Sequence, residues 1–242
     1  MNTSLRLHVN VDHVATLRQA RREAFPDPAA WAERALAAGA HGITAHLRKD
    51  RRHIQDADVA ELRAVTPLFN LESSLDPEML ALATGAKADQ VCLVPENRTE
   101  ITTEGGLDVA SEFQRVKSAV ERLVDTGAEV SLFVDPDLRQ VELAKESGAP
   151  AIELHTGSYA NAKGTLRETE RARIEAAANA ARESGLIVHA GHGLDYANVR
   201  PIAVIEPIVE LNIGFSIVAR AVFDGVEHAV LTMLQELEAA RG

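Results

Sequence analysis

Short apolar runs and stretches with apolar residues at three- and four-residue spacing take turns along the whole chain. The runs include GITAH, PLFNLE, QVCLV, AEVSLFV, AIELH, LIVHAG and IVELNI. Each is short enough for a buried strand, and all but PLFNLE carry the β-branched residues such a strand favours. Between them stand PAAWAERALAA, SEFQRVKSAVERLV, DLRQVELAKE and the stretch from Arg167 to Glu183, whose charges separate the apolar positions as in helices with one dry face. The phrases AAGAHGITAH, TGAKADQVCLV, TGAEVSLFV, SGAPAIELH and SGLIVHAG repeat one junction, in which a glycine closes a helix and a strand starts. Residues 9–22, VNVDHVATLRQARR, read as an opening strand followed by a basic turn.

About eight such units in 242 residues predict a single domain, residues 1–242, folded as a (β/α)8 TIM barrel. The segment from Ser216 to Ala240 reads as a final helix that seals it. An open doubly wound sheet uses the same alternation, but its phosphate glycines belong in the first turn. Here that turn is DHVATLRQ, with no glycine before Gly39.

Strand periodicity divides each strand between the barrel axis and the helices. His8, Asn10 and Asp12 fall on one side of the opening strand, and Thr44 with His46, Asn70 with Glu72, Glu153 with His155 and Glu210 with Asn212 repeat the pattern. His8, Glu210 and Asn212 read as a structural network. His155 and His189 read as packed imidazoles, and His41, His53 and His228 as exposed. Asp12, His46, Glu72 and His192 end their strands at the rim where barrel enzymes place their chemistry, so function is the stronger reading for these four.

Composition narrows the chemistry. A net charge of −11 and 4% aromatic residues argue against nucleic-acid binding. Against that background, Arg18, Arg21 and Arg22, and then Arg48, Lys49, Arg51 and Arg52, point to small anionic ligands. Glycine turns at Gly191, Gly193 and Gly214 fall where barrels hold phosphate through backbone N–H groups. The polar stretch PENRTEITTEGGLDVA reads as a lid. His46, Glu72 and His192 would supply three proton-transfer groups, or, with Asp12, zinc ligands. None of the five lysines sits on a strand, which disfavours an enzyme-bound imine. Cys92, the lone cysteine, reads as a buried inert thiol. No apolar run approaches the length of a membrane span, so the expectation is a cytoplasmic protein without membrane partners.

Taken in order, VNVDHVATLRQARR, GITAHLRKDRRHI, FNLE, CLVPENR, TTEGGLDV, IELHTGSYA, AGHGLDYANV and ELNIG resemble the pyridoxine 5′-phosphate synthases, which close the pyridoxine ring in a bacterial route to vitamin B6. The resemblance implies a TIM barrel with additional helices, a homo-oligomer built from dimers (an octamer), and no organic cofactor or metal. It implies condensation of 3-amino-2-oxopropyl phosphate with 1-deoxy-D-xylulose 5-phosphate to pyridoxine 5′-phosphate, phosphate and water. In the motifs, His46 would be a general base, Glu72 a second acid/base and His192 a proton donor, with Glu153 stabilising a transition state. Asp12, His13, Arg48, His53 and Thr102 would hold the deoxyxylulose phosphate. Asn10, Arg21, Gly193, Gly214 and Phe215 would hold the aminoketone phosphate. One position departs from the family's usual NIGH: Phe215 stands in place of the histidine. Alternatives are another phosphosugar isomerase, epimerase or lyase on this barrel, and a non-catalytic anion- or RNA-binding protein.

Overall fold

In the computed structural model, which describes residues 5–96 and 105–242, eight parallel strands close a barrel in sequence order. They are β1 (Arg6–Asn10), β2 (Gly42–His46), β3 (Phe69–Ser73), β4 (Gln90–Leu93), β5 (Glu129–Val134), β6 (Ala151–His155), β7 (Ile187–Gly191) and β8 (Ile208–Ile213). The ring closes where Arg6 to Val9 pair with Glu210 to Ile213. Helices α2 (Pro28–Ala37), α3 (Asp56–Val65), α4 (Pro77–Ala86), α5 (Phe113–Val124), α6 (Leu138–Glu146), α8 (Thr165–Glu183) and α11 (Val226–Arg241) lie between or after the strands. The short or added helices are α1 (Asp12–Gln19), α7 (Gly157–Asn161), α9 (Arg200–Ala203) and α10 (Phe215–Asp224).

The helix junctions follow the predicted glycines, with one difference. Gly39, Gly127, Gly148 and Gly185 all take positive φ after their helices. Gly85 instead lies inside α4, and Lys87 takes the left-handed position at its end. The N-termini are capped by Asp27, Asp76 and Asp137, whose carboxylates accept first-turn N–H groups.

Two boundaries differ from the sequence reading. The opening strand stops at Asn10, and Asp12 and His13 start α1 rather than extending β1. The cause is local: the Asn10 side-chain oxygen accepts the Asp12 N–H at 2.9 Å, which turns the chain out of extended backbone. The closing segment is two helices, because Gly225 sits between them at φ 82°. The apolar core lies between strands and helices and includes the fully buried Leu7, Val9, Val11, Ile43, Leu132 and Ile152.

Candidate active site

The C-terminal ends of the strands open on a cavity of about 660 Å³. Asn10, Asp12, His13, His46, Arg48, His53, Glu72, Glu153, His192, Gly193, Gly214 and Phe215 all line it. One of the residues named from the sequence does not. Arg21 has an exposed side chain outside the cavity wall, and Thr102, with half of the lid stretch, falls outside the described residues.

Strand register explains the convergence. His46 and Glu72 are register partners on β2 and β3, and the His46 Nδ1 lies 3.6 Å from the Glu72 carboxylate. Asp12 reaches in from α1 to accept the His46 N–H at 2.8 Å, while its other oxygen accepts from the Asn10 amide at 3.0 Å. Burial drives His46 down to about 3, so the imidazole is neutral near pH 7. Burial, with the charges of Asp12 and Glu153 nearby, pushes Glu72 well above the usual carboxylate range. The pair therefore sets a neutral imidazole beside a carboxyl group whose surroundings favour its protonated form, a base and an acid 3.6 Å apart.

Glu153, on β6, is raised by burial and by Glu210 to about 8. Its carboxylate meets only neutral donors, the Asn212 amide at 2.9 Å and the Cys92 thiol at 3.6 Å. Asn212 is itself held by the Thr44 hydroxyl at 2.7 Å. Asn212 thus belongs to the site, not to the structural network assigned to it from the sequence. Cys92 is buried and its thiol is pushed well above its ordinary range by burial, in keeping with an inert thiol.

His192 follows β7 with φ 81°, a left-handed conformation that costs a non-glycine residue about 1–2 kcal/mol. The Thr156 hydroxyl sustains it by donating to the carbonyl oxygens of both His192 and Gly191. Burial, and then His155 and His13, lower the His192 imidazole to about 4.

Arg48 is almost fully buried in the cavity wall and Arg52 lies beside it, both near Asp50. Their cluster neighbours are engaged elsewhere, Lys49 by Asp76 and Arg51 by Asp56 and Glu78. Arg18, grouped from the sequence with arginines that point to anionic ligands, is engaged within the protein: it makes a two-pronged contact with Asp58, 2.6 Å at each oxygen. His53, read as exposed, is instead a cavity residue 4.0 Å from Asp12. At the far wall, α10 begins at Phe215 with Gly214 as a cap that contributes no side chain. A Cβ at Gly214 would lie 2.9 Å from that of Asn10, so only glycine allows this approach. Thr16, Arg52, Phe133, Asp195, Asn212 and Ser216 also line the cavity and were not assigned to it from the sequence. The strand positions of Phe133 and Asn212 were the available signals; Thr16, Asp195 and Ser216 come from turns and helices, where no period marks them.

Among the described residues, Asp12, His46 and Glu72 bring one ligand atom each within 4.8 Å of the others, a spacing that could hold a cation. His192, needed by the zinc alternative, is not part of that group.

A closed parallel barrel with acid/base groups and a buried arginine around one mouth defines a class of enzymes that transform small anionic molecules. The chain belongs to the family described as "Pyridoxal phosphate biosynthesis protein PdxJ", whose model matches residues 7–239. It is 52% identical over 241 residues to a protein of Aliivibrio fischeri (strain ATCC 700601 / ES114) named pyridoxine 5′-phosphate synthase, covering 99% of each chain. Solved structures of similar shape include the Thermotoga maritima phosphoribosylanthranilate isomerase, with TM-score 0.57 and 13% identity over 97% of this chain and 99% of that one. The Pyrococcus furiosus tryptophan synthase A-subunit gives TM-score 0.61 and 13% identity over 98% of both chains. At such identities the likeness speaks for the fold alone.

Proposed function

We propose that this chain condenses 3-amino-2-oxopropyl phosphate with 1-deoxy-D-xylulose 5-phosphate, yielding pyridoxine 5′-phosphate, inorganic phosphate and water in de novo vitamin B6 biosynthesis. The observation that carries the reading is the His46 imidazole 3.6 Å from the Glu72 carboxyl group in a cavity whose described wall contains arginines but no lysine. Such a site can move protons repeatedly while the imine forms between the two substrates rather than on the protein.

In this reading the aminoketone nitrogen attacks the ketone carbon of the deoxyxylulose phosphate, and Glu72 protonates the departing hydroxyl as water leaves. His46 then removes a carbon-bound proton to give the enamine that expels phosphate. Glu153, protonated at neutral pH, donates a hydrogen bond to the oxygen that gains charge. His192 is neutral in the free protein, and an incoming phosphate dianion beside it would raise its proton affinity and make it the donor for the last loss of water.

Arg48, Asp12, His13, His53 and Thr102 would hold the deoxyxylulose phosphate, with Arg48 as the buried cation. The aminoketone phosphate would rest on Asn10, Gly193, Gly214 and Phe215, where the start of α10 offers backbone N–H groups. Arg21, exposed and outside this chain's cavity, would have to reach that phosphate by movement or assembly. The same reading has the chain working in the cytoplasm as a homo-oligomer built from dimers, an octamer. Exposed Leu17, Phe25, Val222 and Phe223, on or after helices α1 and α10 that pack together, support association.

The test is to supply both substrates and follow pyridoxine 5′-phosphate and inorganic phosphate together. Coupled release of both products is expected. No product between mildly acidic and mildly alkaline pH overturns the proposal; phosphate release from either substrate alone favours a lyase, and rearrangement of one substrate without phosphate release favours an isomerase or epimerase.

A further inference from the structure

Behind His192 stands a pair of residues that the reaction above does not use. Asp135 follows the end of β5, and its Oδ1 accepts N–H groups from Gly106 at 3.1 Å and from the His155 Nδ1 at 3.1 Å. The bond from His155 holds the carboxyl below its usual range against the opposing effect of burial. An ionised Asp135 fixes the His155 tautomer, with hydrogen on Nδ1 and a bare Nε2.

The His155 ring then meets His192. It stands edge-on to Phe133 with centroids 5.2 Å apart, and its centroid is 5.0 Å from that of His192. The two rings converge on Gly157, where a Cβ would lie 2.5 Å from His155 Nε2 and 3.1 Å from His192 Cδ2. His155 Nε2 is buried without a hydrogen-bond partner among the described residues. Packing alone does not account for an imidazole here, since a phenyl ring would fill the space without burying a bare nitrogen.

We propose that Asp135 and His155 are positioning residues for His192: the carboxylate fixes the His155 ring, and that ring fixes the His192 imidazole at the cavity wall. The inference rests on His192 being the proton donor of the proposed reaction. Thr156 holds the strained backbone of His192, and Asp135 with His155 holds its side chain, so together they over-determine a geometry that the backbone alone disfavours. The charged and titratable groups facing this assembly are His13 from α1, toward His192, and Arg173 from α8, toward Asp135.

The experiment pairs NMR titration of the His192 imidazole in the free, full-length protein with steady-state kinetics. His155→Phe keeps a ring against Phe133 and Gly157 but removes the imidazole. It should move the His192 titration midpoint by about half a pH unit or more as the ring loses its fixed setting, and lower kcat about tenfold or more with both KM values within about twofold. Asp135→Asn, at a half-exposed site, should shift His155 toward the Nε2–H tautomer in ¹⁵N spectra and lower kcat at least about threefold. If His155→Phe leaves the midpoint and kcat unchanged, the pair is packing and the proposal fails. If His155→Phe does not fold, Asp135→Asn decides, and an unchanged tautomer and kcat overturn the proposal. Absence of product from the unsubstituted protein would sink the proposed reaction, whereas the His192 titration is read without substrate and judges the positioning separately.

Discussion

Glu153 and Glu210 are two glutamates inside the same barrel, on β6 and β8, and burial pushes both toward the neutral form. They end on opposite sides of the ordinary carboxylate range. At Glu210 the push of burial is outweighed by cationic and imidazole neighbours: His189 Nδ1 at 3.4 Å, His8 Nε2 at 3.2 Å and Arg6 Nη2 at 3.0 Å, with the Gln90 amide adding a bond at 3.2 Å. At Glu153 the partners are an amide and a thiol, and the nearest strong field is the repulsion of Glu210 itself. Two imidazoles and a guanidinium at the floor of the barrel therefore separate a structural carboxylate from one that can trade protons. His8 belongs to the same cluster, and burial takes it to about 4 even with Glu210 adjacent.

The comparison is broken most strongly at the mouth. Glu72, raised like Glu153 and in contact with His46, should be the least replaceable group. Glu72→Gln is expected to lower kcat about a thousandfold or more while calorimetry shows deoxyxylulose phosphate binding close to that of the unsubstituted protein. Equal loss of turnover and binding would make Glu72 an anchor rather than a proton carrier.

At the floor the same substitution should act on stability instead. Glu210→Gln leaves Arg6 without its carboxylate and should cost about 3 kcal/mol in urea unfolding at pH 7, with kcat per folded molecule within about threefold. Arg6 keeps some contact with water, which favours the low end of the range for broken buried pairs. Because the folded Glu210 titrates below its unfolded value, its contribution is present above the unfolded pKa and is lost as pH falls through the folded one. The gap between the two proteins should therefore close in acid. A variant of unchanged stability at pH 7 would dissolve the distinction between floor and mouth.

Glu153→Gln reverses the sign. A carboxyl raised from 4.5 to about 8 in the fold holds its proton where the unfolded chain does not. Stability then falls as pH rises through that window, by up to about 1.4 kcal/mol per pH unit from this group. The glutamine variant lacks the slope, so near pH 7 it should melt at a higher temperature than the unsubstituted protein while losing turnover. Melting curves that stay parallel from pH 5 to 8 would mean that Glu153 is not held protonated.

The strands, and with them this contrast, were legible from the chain because period-two alternation puts His8, Glu153, Glu210 and Asn212 on one side without any tertiary knowledge. What alternation cannot say is depth along the axis. Asn212 and Glu210 share a strand face, yet Asn212 reaches Glu153 and Thr44 while Glu210 faces Arg6, a difference set by strand register around the ring. The missed start of α1 has another cause: Asn10 and Asp12 fit an alternating strand, and only the side-chain bond from Asn10 to the Asp12 backbone breaks it. Arg18 was misread because its partner, Asp58, lies 40 positions away on α3.

The smallest expected effect lies at the residue that departs from the family's pattern. The Phe215 ring is 68% exposed and stands edge-on to His13, with centroids 5.2 Å apart and planes at 75°. If phosphate is held at the mouth by the backbone N–H groups that open α10, the side chain at this position contributes little charge to binding, and a histidine there changes little. Phe215→His should then alter the KM for the aminoketone phosphate by less than about threefold, within about 0.7 kcal/mol of binding energy. A much lower KM would mean that an imidazolium at this position helps neutralise the phosphate. The mouth would then resemble the floor, where side-chain cations set the state of the anion beside them.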